Sequence, residues 1–356
     1  MSHEWDSGWL NDNAWHGLGN VRGRLGFPDR QPASMEELRR WAGITWEPVE
    51  QPLYTLTRAD LTDPDSPEIY EPVAAWKAIV RSDNGHVLMS ARDTRGLITN
   101  TELCELVEVT MGEIEAGGIE VHGMMSLRNG GQVVVVCTLD ERFQVPGDPD
   151  THQMYATFGL GHDGSASLTV FPSAVKTVCM NTWNFAKAGA AEEFGQGIVI
   201  RHTKNVKERI EQARLMLSGV RDSKDQYLQL MEELVGVPFE NDQLRRFVVE
   251  FIPSPPETLI SDRVARNIEE ARAAVTGILN GRTVAGAGIG GTAYGCLMAA
   301  TEYLDHVRRS RDPQTKFRRS MLRQEPLKNV ALKIINRIAE GSVSQVSSDN
   351  DDLGWL

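Results

Sequence analysis

The chain has 356 residues, of which 41% are hydrophobic and 24% are charged, as is usual for a globular protein that buries a sizeable core. Its 37 basic and 49 acidic residues give a formal net charge of −12, which argues against a protein coated with nucleic-acid-binding charge but is compatible with a local basic face. The four cysteines form no CxxC pair, which argues against a zinc knuckle, and no apolar run approaches the roughly 20 residues that span a bilayer.

The amino-terminal third begins with a Trp-rich segment. Residues 1–70 are rich in Trp, Gly, Pro and Asp and are expected to form an irregular arm with one short helix at 34–41, capped by Ser34. The first residues lack the basic and apolar regions of a signal peptide, so a cytosolic location is expected.

Hairpin signals dominate the middle of the chain. Pairs of strands are predicted around the turns SDNG, NGG and GHDG, at 74–80 with 86–90, 119–128 with 132–139, and 154–160 with 165–171. Apolar residues at helical spacing predict a helix over 101–116, capped by Thr99 or Thr101. The β-branched run 133–136 is expected in a central, buried strand.

Helices are predicted beyond the third hairpin. Pro172 is expected to close its strand, and residues 173–188 are expected to form a helix that covers the sheet. Further helices are predicted at 206–220, 226–235, 258–279 and in a block from 292 to about 338, with a mixed connection over 237–258.

These elements predict an α+β fold. An antiparallel sheet built from hairpins, with covering helices, is followed by a mostly helical C-terminal region. We divide the chain into an irregular arm (1–70), an α+β core domain (71–200), a helical region with basic faces (201–340) and an acidic tail expected to be disordered (341–356).

Two motifs invite a catalytic interpretation, and both have simpler ones. His162 and Asp163 lie in the turn GHDGS, where Asp normally bonds its own backbone and Gly takes a positive φ, so a ligand-contacting turn is the alternative to a plain hairpin turn. GAGIGG (286–291) fits GxGxxG, but it follows a predicted helix instead of a strand, so we interpret it as a flexible hinge. No catalytic residue, metal site or cofactor is predicted.

Positive charge is concentrated in two segments. Residues 201–224 carry seven basic and three acidic residues, a formal charge of +4, and residues 305–337 carry ten basic and three acidic residues, a formal charge of +7. The bland interpretation is a solvated helix face, and the alternative is a groove that follows a phosphate backbone. The predicted nucleic-acid-binding residues are Arg201, His202, Lys204, Lys207, Arg308, Arg309, Arg318 and Arg319.

The C-terminal sequence SSDNDDLGWL is acidic and ends in apolar residues. It resembles the tails through which bacterial and phage single-strand DNA-binding proteins dock their partners, and such a tail can also cover a protein's own basic groove. The tail residues expected to contact a protein partner are Asp349, Asp351, Asp352, Trp355 and Leu356.

Several blocks of the sequence resemble one family. They are WHGLG (15–19), HDGS (162–165), VKTVCMNTWNFA (175–186), IRHTKNV (200–206) and TAYGCLMAATEYLDH (292–306), and they are similar to blocks of the phage/plasmid-like proteins, a family of uncharacterised function. The resemblance implies a phage, prophage or plasmid origin and the cytoplasm of a bacterial host. More distantly, the predicted order of strands and helices is similar to the core of phage single-strand annealing proteins, which oligomerise and need no nucleotide cofactor.

The sequence thus supports three hypotheses. The first is a phage DNA-metabolism accessory, expected to be a homo-oligomer, that binds single-stranded DNA and anneals strands in recombination or replication, without a catalytic residue. The second is a metal-dependent nuclease or nucleotide hydrolase, which requires carboxylates or His ligands that converge in space. The third is a non-enzymatic host-interaction protein that uses its Trp-rich arm.

Overall fold

The protein is seen in a computed structural model. It describes residues 7–10, 32–59, 62–114, 120–176, 181–184, 198–200, 219–256, 261–311, 315 and 326–340. The chain forms two compact units, of which the first comprises 1–144, 151–228 and 309–324 and the second comprises 145–150, 229–308 and 325–356.

Ten strands and seven α-helices lie in these described residues. The strands are β1 (Ser7–Leu10), β2 (Pro48–Arg58), β3 (Glu68–Arg81), β4 (Val87–Arg92), β5 (Glu120–Leu127), β6 (Gln132–Gln144), β7 (Thr151–Gly161), β8 (Leu168–Lys176), β9 (Asn181–Asn184) and β10 (Ile198–Ile200). The helices are α1 (Met35–Ala42), α2 (Asn100–Ile114), α3 (Gly219–Val235), α4 (Asn241–Phe251), α5 (Asp262–Leu279), α6 (Ala293–Glu302) and α7 (Pro326–Ala339), with a π-helical turn (Tyr303–Val307) after α6.

The larger sheet belongs to the first unit. Its strands run β1-β5-β6-β7-β8-β10, β9 also pairs with β8, and every recorded pairing is antiparallel. The side chains of Val133, Val134, Val135 and Val136 are fully buried in β6, which lies in the interior of this sheet. The predicted α+β fold, its hairpins and its central β-branched strand are therefore confirmed, as is the helical C-terminal region.

The predicted helix over 173–188 is wrong where the structure describes it. Residues 173–176 continue β8, and residues 181–184 form β9, which pairs with it. Pro172 lies inside β8 and does not close it. On one side of β8, β10 pairs with residues 168–170 and β9 with residues 173–176, and Pro172, which has no N–H to donate, lies in the break between them.

The smaller sheet contains β2, β3 and β4, in that order. The short helix predicted at 34–41 is confirmed as α1, capped by the Ser34 hydroxyl, which accepts from the Glu37 amide at 3.1 Å. Strand β2, by contrast, lies in the segment that was expected to be irregular. The β2–β3 ribbon extends past β4, which pairs with β3 only over residues 76–80. The predicted division of the chain at residues 71, 201 and 341 stays a prediction.

The second unit packs around α6. Every residue from Ala293 to Thr301 is buried, as expected for a helix that is apolar on all sides. Phe247 and Phe251 of α4 stack with their ring centroids 5.6 Å apart, and Tyr303 meets Phe251 edge-on. Residues 145–150 also belong to this unit, where the Tyr294 hydroxyl donates to Asp148 Oδ2 at 2.7 Å.

Candidate functional site

The turn that holds His162 and Asp163 joins β7 to β8. The amides of both residues donate to the Gly131 carbonyl, at 2.8 and 3.2 Å, and the Asp163 carboxylate accepts from the Ser165 amide at 2.9 Å. Gly164 has a φ of +77°, which a glycine adopts without strain. The segment is thus a hairpin turn with the backbone chemistry expected of Asp and Gly.

The side chain of His162 makes its contacts in the interior of the first unit. It is buried, and Nε2 lies 2.9 Å from Oδ1 of Asn100, which is also buried. Asn100 in turn donates from Nδ2 to the Trp46 carbonyl at 2.8 Å. The rings of Trp46 and His162 pack edge to face, with their centroids 5.7 Å apart. These bonds hold the imidazole in place beneath the turn.

Asp163 is held by a neighbouring turn. Its Oδ2 lies 2.6 Å from the guanidinium of Arg128, in the turn between β5 and β6. A Cβ added at Gly131 would stand 2.7 Å from the same oxygen and 3.0 Å from the Arg128 carbonyl oxygen, so the two turns leave little space for a side chain there. The role of His162 and Asp163 as a ligand turn stays a prediction, while their contacts are those of residues that fix two adjacent turns.

The amino terminus of α2 completes this cluster. The Glu47 carboxylate accepts from the Asn100 amide at 2.7 Å and from the Thr101 hydroxyl at 2.6 Å, and a carboxylate is favourable at this positive end of the helix. Thr99 and Glu102 form a reciprocal capping box, in which the Thr99 hydroxyl accepts from the Glu102 amide and Glu102 accepts from the Thr99 amide. Of the two threonines expected to cap the helix, Thr99 therefore makes the side-chain cap.

Sequence reasoning missed Trp46, Glu47 and Asn100. Trp46 and Asn100 are buried beside His162, although 116 and 62 positions respectively separate them from it along the chain. The Thr-x-x-Glu pattern at 99–102 was the one local signal that a helix terminus with capping polar groups lies here.

Of the predicted DNA-binding residues, the structure describes two. Arg308 is half-buried directly after the π-helical turn, and its amide donates to the Tyr303 carbonyl at 2.7 Å. Burial raises the pKa of the Tyr303 phenol, and the positive charge of Arg308 opposes that shift. Arg309 is exposed. The six outside the described residues are Arg201, His202, Lys204, Lys207, Arg318 and Arg319.

Two cations counted in the basic segment 305–337 are engaged in ion pairs within the second unit. Lys328 is buried and lies 2.7 Å from Asp305, which is itself buried. Arg337 pairs with Glu250, which also bonds Arg246. Burial alone would raise the pKa of Glu250, but the hydrogen bonds and charges of the two arginines outweigh it and hold that pKa below its usual value. Arg311 and Lys333, by contrast, are exposed.

The GAGIGG segment, interpreted from the sequence as a flexible hinge, forms a hydrogen-bonded loop, and its role as a hinge stays a prediction. The Ile289 amide donates to the Val284 carbonyl and the Phe239 amide to the Gly291 carbonyl, at 3.1 and 2.8 Å. The loop borders an open cavity of about 810 Å³, whose charged lining residues are Glu240, Asp242 and Arg245. Two carboxylates against one guanidinium disfavour a phosphate group there.

Neither thiol nor metal chemistry is favoured by the described residues. Burial raises the pKa of Cys104 and of Cys296 to about 12 and raises that of Cys137 as well, which disfavours their reactive thiolates. No group of three or more His, Cys, Asp or Glu side chains suited to a metal ion lies in the part of the chain that the structure describes. In that same part, no helix is long and apolar enough to span a membrane.

Comparison with known proteins finds one family. Among curated proteins and solved structures nothing matches. The family described as "Domain of unknown function (DUF932)" matches residues 91–324, which is more than half of the 356 residues and includes the whole larger sheet apart from β1. The protein therefore belongs to the DUF932 family.

Proposed function

We propose that this protein binds single-stranded DNA and promotes the annealing of complementary strands, as an accessory of phage recombination or replication. The observation that carries the proposal is the segregation of positive charge. In a chain with a net charge of −12, residues 201–224 and 305–337 carry formal charges of +4 and +7. Basic segments of this kind bind a phosphate backbone through charge, with no sequence readout and no cofactor.

The exposed cations at the start of the second segment support this interpretation. Arg309 and Arg311 are both exposed, and Arg308 precedes them directly. The predicted contacts extend to Arg318 and Arg319 in the same segment, and to Arg201, Lys204 and Lys207 in the other, with His202 available to stack on a base. Lys328 and Arg337 are left out because each already faces a carboxylate.

The cellular setting forms part of the proposal. The blocks that resemble phage/plasmid-like proteins support a phage, prophage or plasmid origin and action in the cytoplasm of a bacterial host. Several of these blocks, including HDGS and TAYGCLMAATEYLDH, lie inside the region that the DUF932 family matches.

The test is fluorescence anisotropy of a labelled single-stranded oligonucleotide titrated with the full chain at several salt concentrations. We expect binding that weakens steeply with salt and favours single-stranded over double-stranded DNA, because each neutralised phosphate of a single strand contributes about −0.7 to the slope of log K against log salt. A strand-annealing assay then follows. Absence of binding at low salt, or binding that salt leaves unchanged, would refute the proposal, and cleavage of the oligonucleotide with a divalent metal would favour a nuclease instead.

A pair of matched variants locates the contact. Arg308→Gln/Arg309→Gln removes two proposed phosphate contacts and is expected to reduce the salt slope by about 1.4. Arg263→Gln/Arg266→Gln removes the same charge from exposed positions of α5 and should leave the slope unchanged. Equal losses in both variants would show that net charge alone, and not this segment, governs binding.

A further inference from the structure

The feature that the proposed function does not use is the ribbon at residues 52–76, which we call the β-arm. From Tyr54 to Arg58 it consists of β2 and β3 alone, since β4 pairs with β3 only over residues 76–80. At its base, Leu53 of β2 faces four positions of β3, residues 73–76, that have no partner in β2, and Ala75 among them has a positive φ of 61°. An irregularity of this kind bends a strand and increases its local twist.

One face of the β-arm is apolar and exposed. Leu56 lies directly opposite Tyr70, and Tyr54 lies directly opposite Pro72, so alternation along the strands places all four on one face. Tyr54 and Leu56 are each 54% exposed, and Tyr70 is 69% exposed. A two-stranded ribbon in water is only marginally stable, and an exposed aromatic patch marks a surface that another molecule covers.

The charge of the β-arm indicates which kind of molecule covers its apolar face. The β-arm carries five acidic residues and one basic residue, a formal charge of −4. The basic residue, Arg58, donates to the Pro64 carbonyl in the loop at the tip of the arm. An acidic ribbon is repelled by DNA and by anionic lipid, and equally by a second acidic arm, whereas the same chain carries two basic segments.

We propose that the β-arm docks on the more basic of the two segments, residues 305–337, of a second copy of this chain, with Tyr54, Leu56 and Tyr70 at the centre of the contact. The arm of one protomer and the basic segment of another are different surfaces, so the contact is heterologous and propagates head to tail into a ring or a filament. The inference rests on the geometry and charge of the arm and does not require DNA binding.

The first test is sedimentation velocity of the full chain over a wide range of concentration and salt. We expect a concentration-dependent oligomer that added salt dissociates. Leu56→Ser/Tyr70→Ser, on the apolar face, should raise the dissociation constant roughly tenfold or more. Thr57→Ser/Ile69→Ser changes the directly opposed pair on the other face and should leave association unchanged. Circular dichroism checks that each variant is folded.

A mixing experiment tests whether the partner is the same chain. Leu56→Ser/Tyr70→Ser keeps its basic segments, and Arg318→Glu/Arg319→Glu keeps its arm. We expect each variant alone to stay monomeric and the equimolar mixture to form a dimer and nothing larger, because the single remaining interface cannot propagate. A monomeric wild-type protein, an oligomer that survives the Leu56/Tyr70 variant, equal loss in the opposite-face control, or a mixture that stays monomeric would overturn the proposal.

Discussion

Asn100 joins three parts of the first unit through one amide group. Its Oδ1 contacts His162 in the β7–β8 turn, its Nδ2 donates to the carbonyl of Trp46 before β2, and its own backbone begins α2. All three side chains are buried. A buried side-chain amide that makes both of its hydrogen bonds rigidifies the elements that it joins. Its loss leaves the partner groups buried without those hydrogen bonds.

The variant Asn100→Ala tests this role. It leaves His162 Nε2 and the Trp46 carbonyl without this partner, and we expect the free energy of unfolding in urea to fall by about 2 kcal/mol or more. Asn336→Ala makes the same change at an exposed position of α7 and should alter that free energy by less than about 0.5 kcal/mol. Equal, small effects in the two variants would show that the cluster around His162 contributes little to stability.

At the scale of elements, the glycine loop before α6 illustrates how tightly the second unit is packed. A Cβ at Gly295 would stand 2.4 Å from the Ile289 carbonyl oxygen, whereas a Cβ at Gly288 would meet nothing within 4 Å. The backbone of Gly288 nevertheless has a φ of +78°, which an alanine adopts only with strain. The two glycines are thus required for different reasons, one for space and the other for conformation.

Substitution by alanine separates these reasons. Gly295→Ala forces the backbone of a buried helix away from Ile289, and we expect a loss of about 3 kcal/mol in the free energy of unfolding. Gly288→Ala should cost only about 1 kcal/mol, since strain is its only penalty. Thermal or urea unfolding measures both, and a Gly295→Ala protein as stable as the wild type would show that α6 is not tightly packed against the Ile289 carbonyl.

Local signals were sufficient for some elements and not for others. Turn residues and alternation predicted the hairpins and the buried run 133–136, because both depend on neighbouring residues. Helix α4 was missed inside a segment taken as a mixed connection, although Glu240 and Gln243 form a capping box and Phe247, Val248 and Phe251 bury one face. The run after Pro172 looked helical, yet pairing with β7 and β9 made it a strand.

The residues around His162 were out of reach for a different reason. The turn itself could be predicted, but its contacts with Asn100 and Trp46 depend on how distant segments meet in the folded unit. For the two basic segments, the sequence indicates how much charge each carries. The structure shows which of their cations, such as Lys328, already pair with a buried carboxylate.

At the scale of the whole molecule, opposite charges are separated along the chain. The β-arm and the C-terminal tail are acidic, and the segments 201–224 and 305–337 are basic. Residues 341–356 contain Asp349, Asp351 and Asp352 and no basic residue. If the protein binds single-stranded DNA as proposed, a tail of this charge, attached next to a basic segment, is expected to compete with DNA for that segment at high effective concentration.

Deletion of residues 341–356 is therefore expected to tighten single-stranded DNA binding about threefold to tenfold at low salt, with a smaller gain at high salt because screening weakens the competition. Anisotropy titrations of the full chain and the shortened one measure the change. Replacing the three aspartates of the tail by asparagine should reproduce it if charge is responsible, and affinity unchanged by the deletion would exclude competition by the tail.

The loop between β6 and β7 has a consequence for how the protein can be divided. Residues 145–150 connect two neighbouring strands of the larger sheet, yet they belong to the second unit. In that unit, Asp148 accepts a hydrogen bond from the buried hydroxyl of Tyr294, and Gly147 leaves room for the side chain of Val235. A fragment that begins at residue 229 would lack this loop and keep Tyr294 without its carboxylate. The second unit is thus built from separate stretches of the chain. A gene that expresses this unit alone would have to join the codons for residues 145–150 to those for the helices, through a circular permutation or a designed linker.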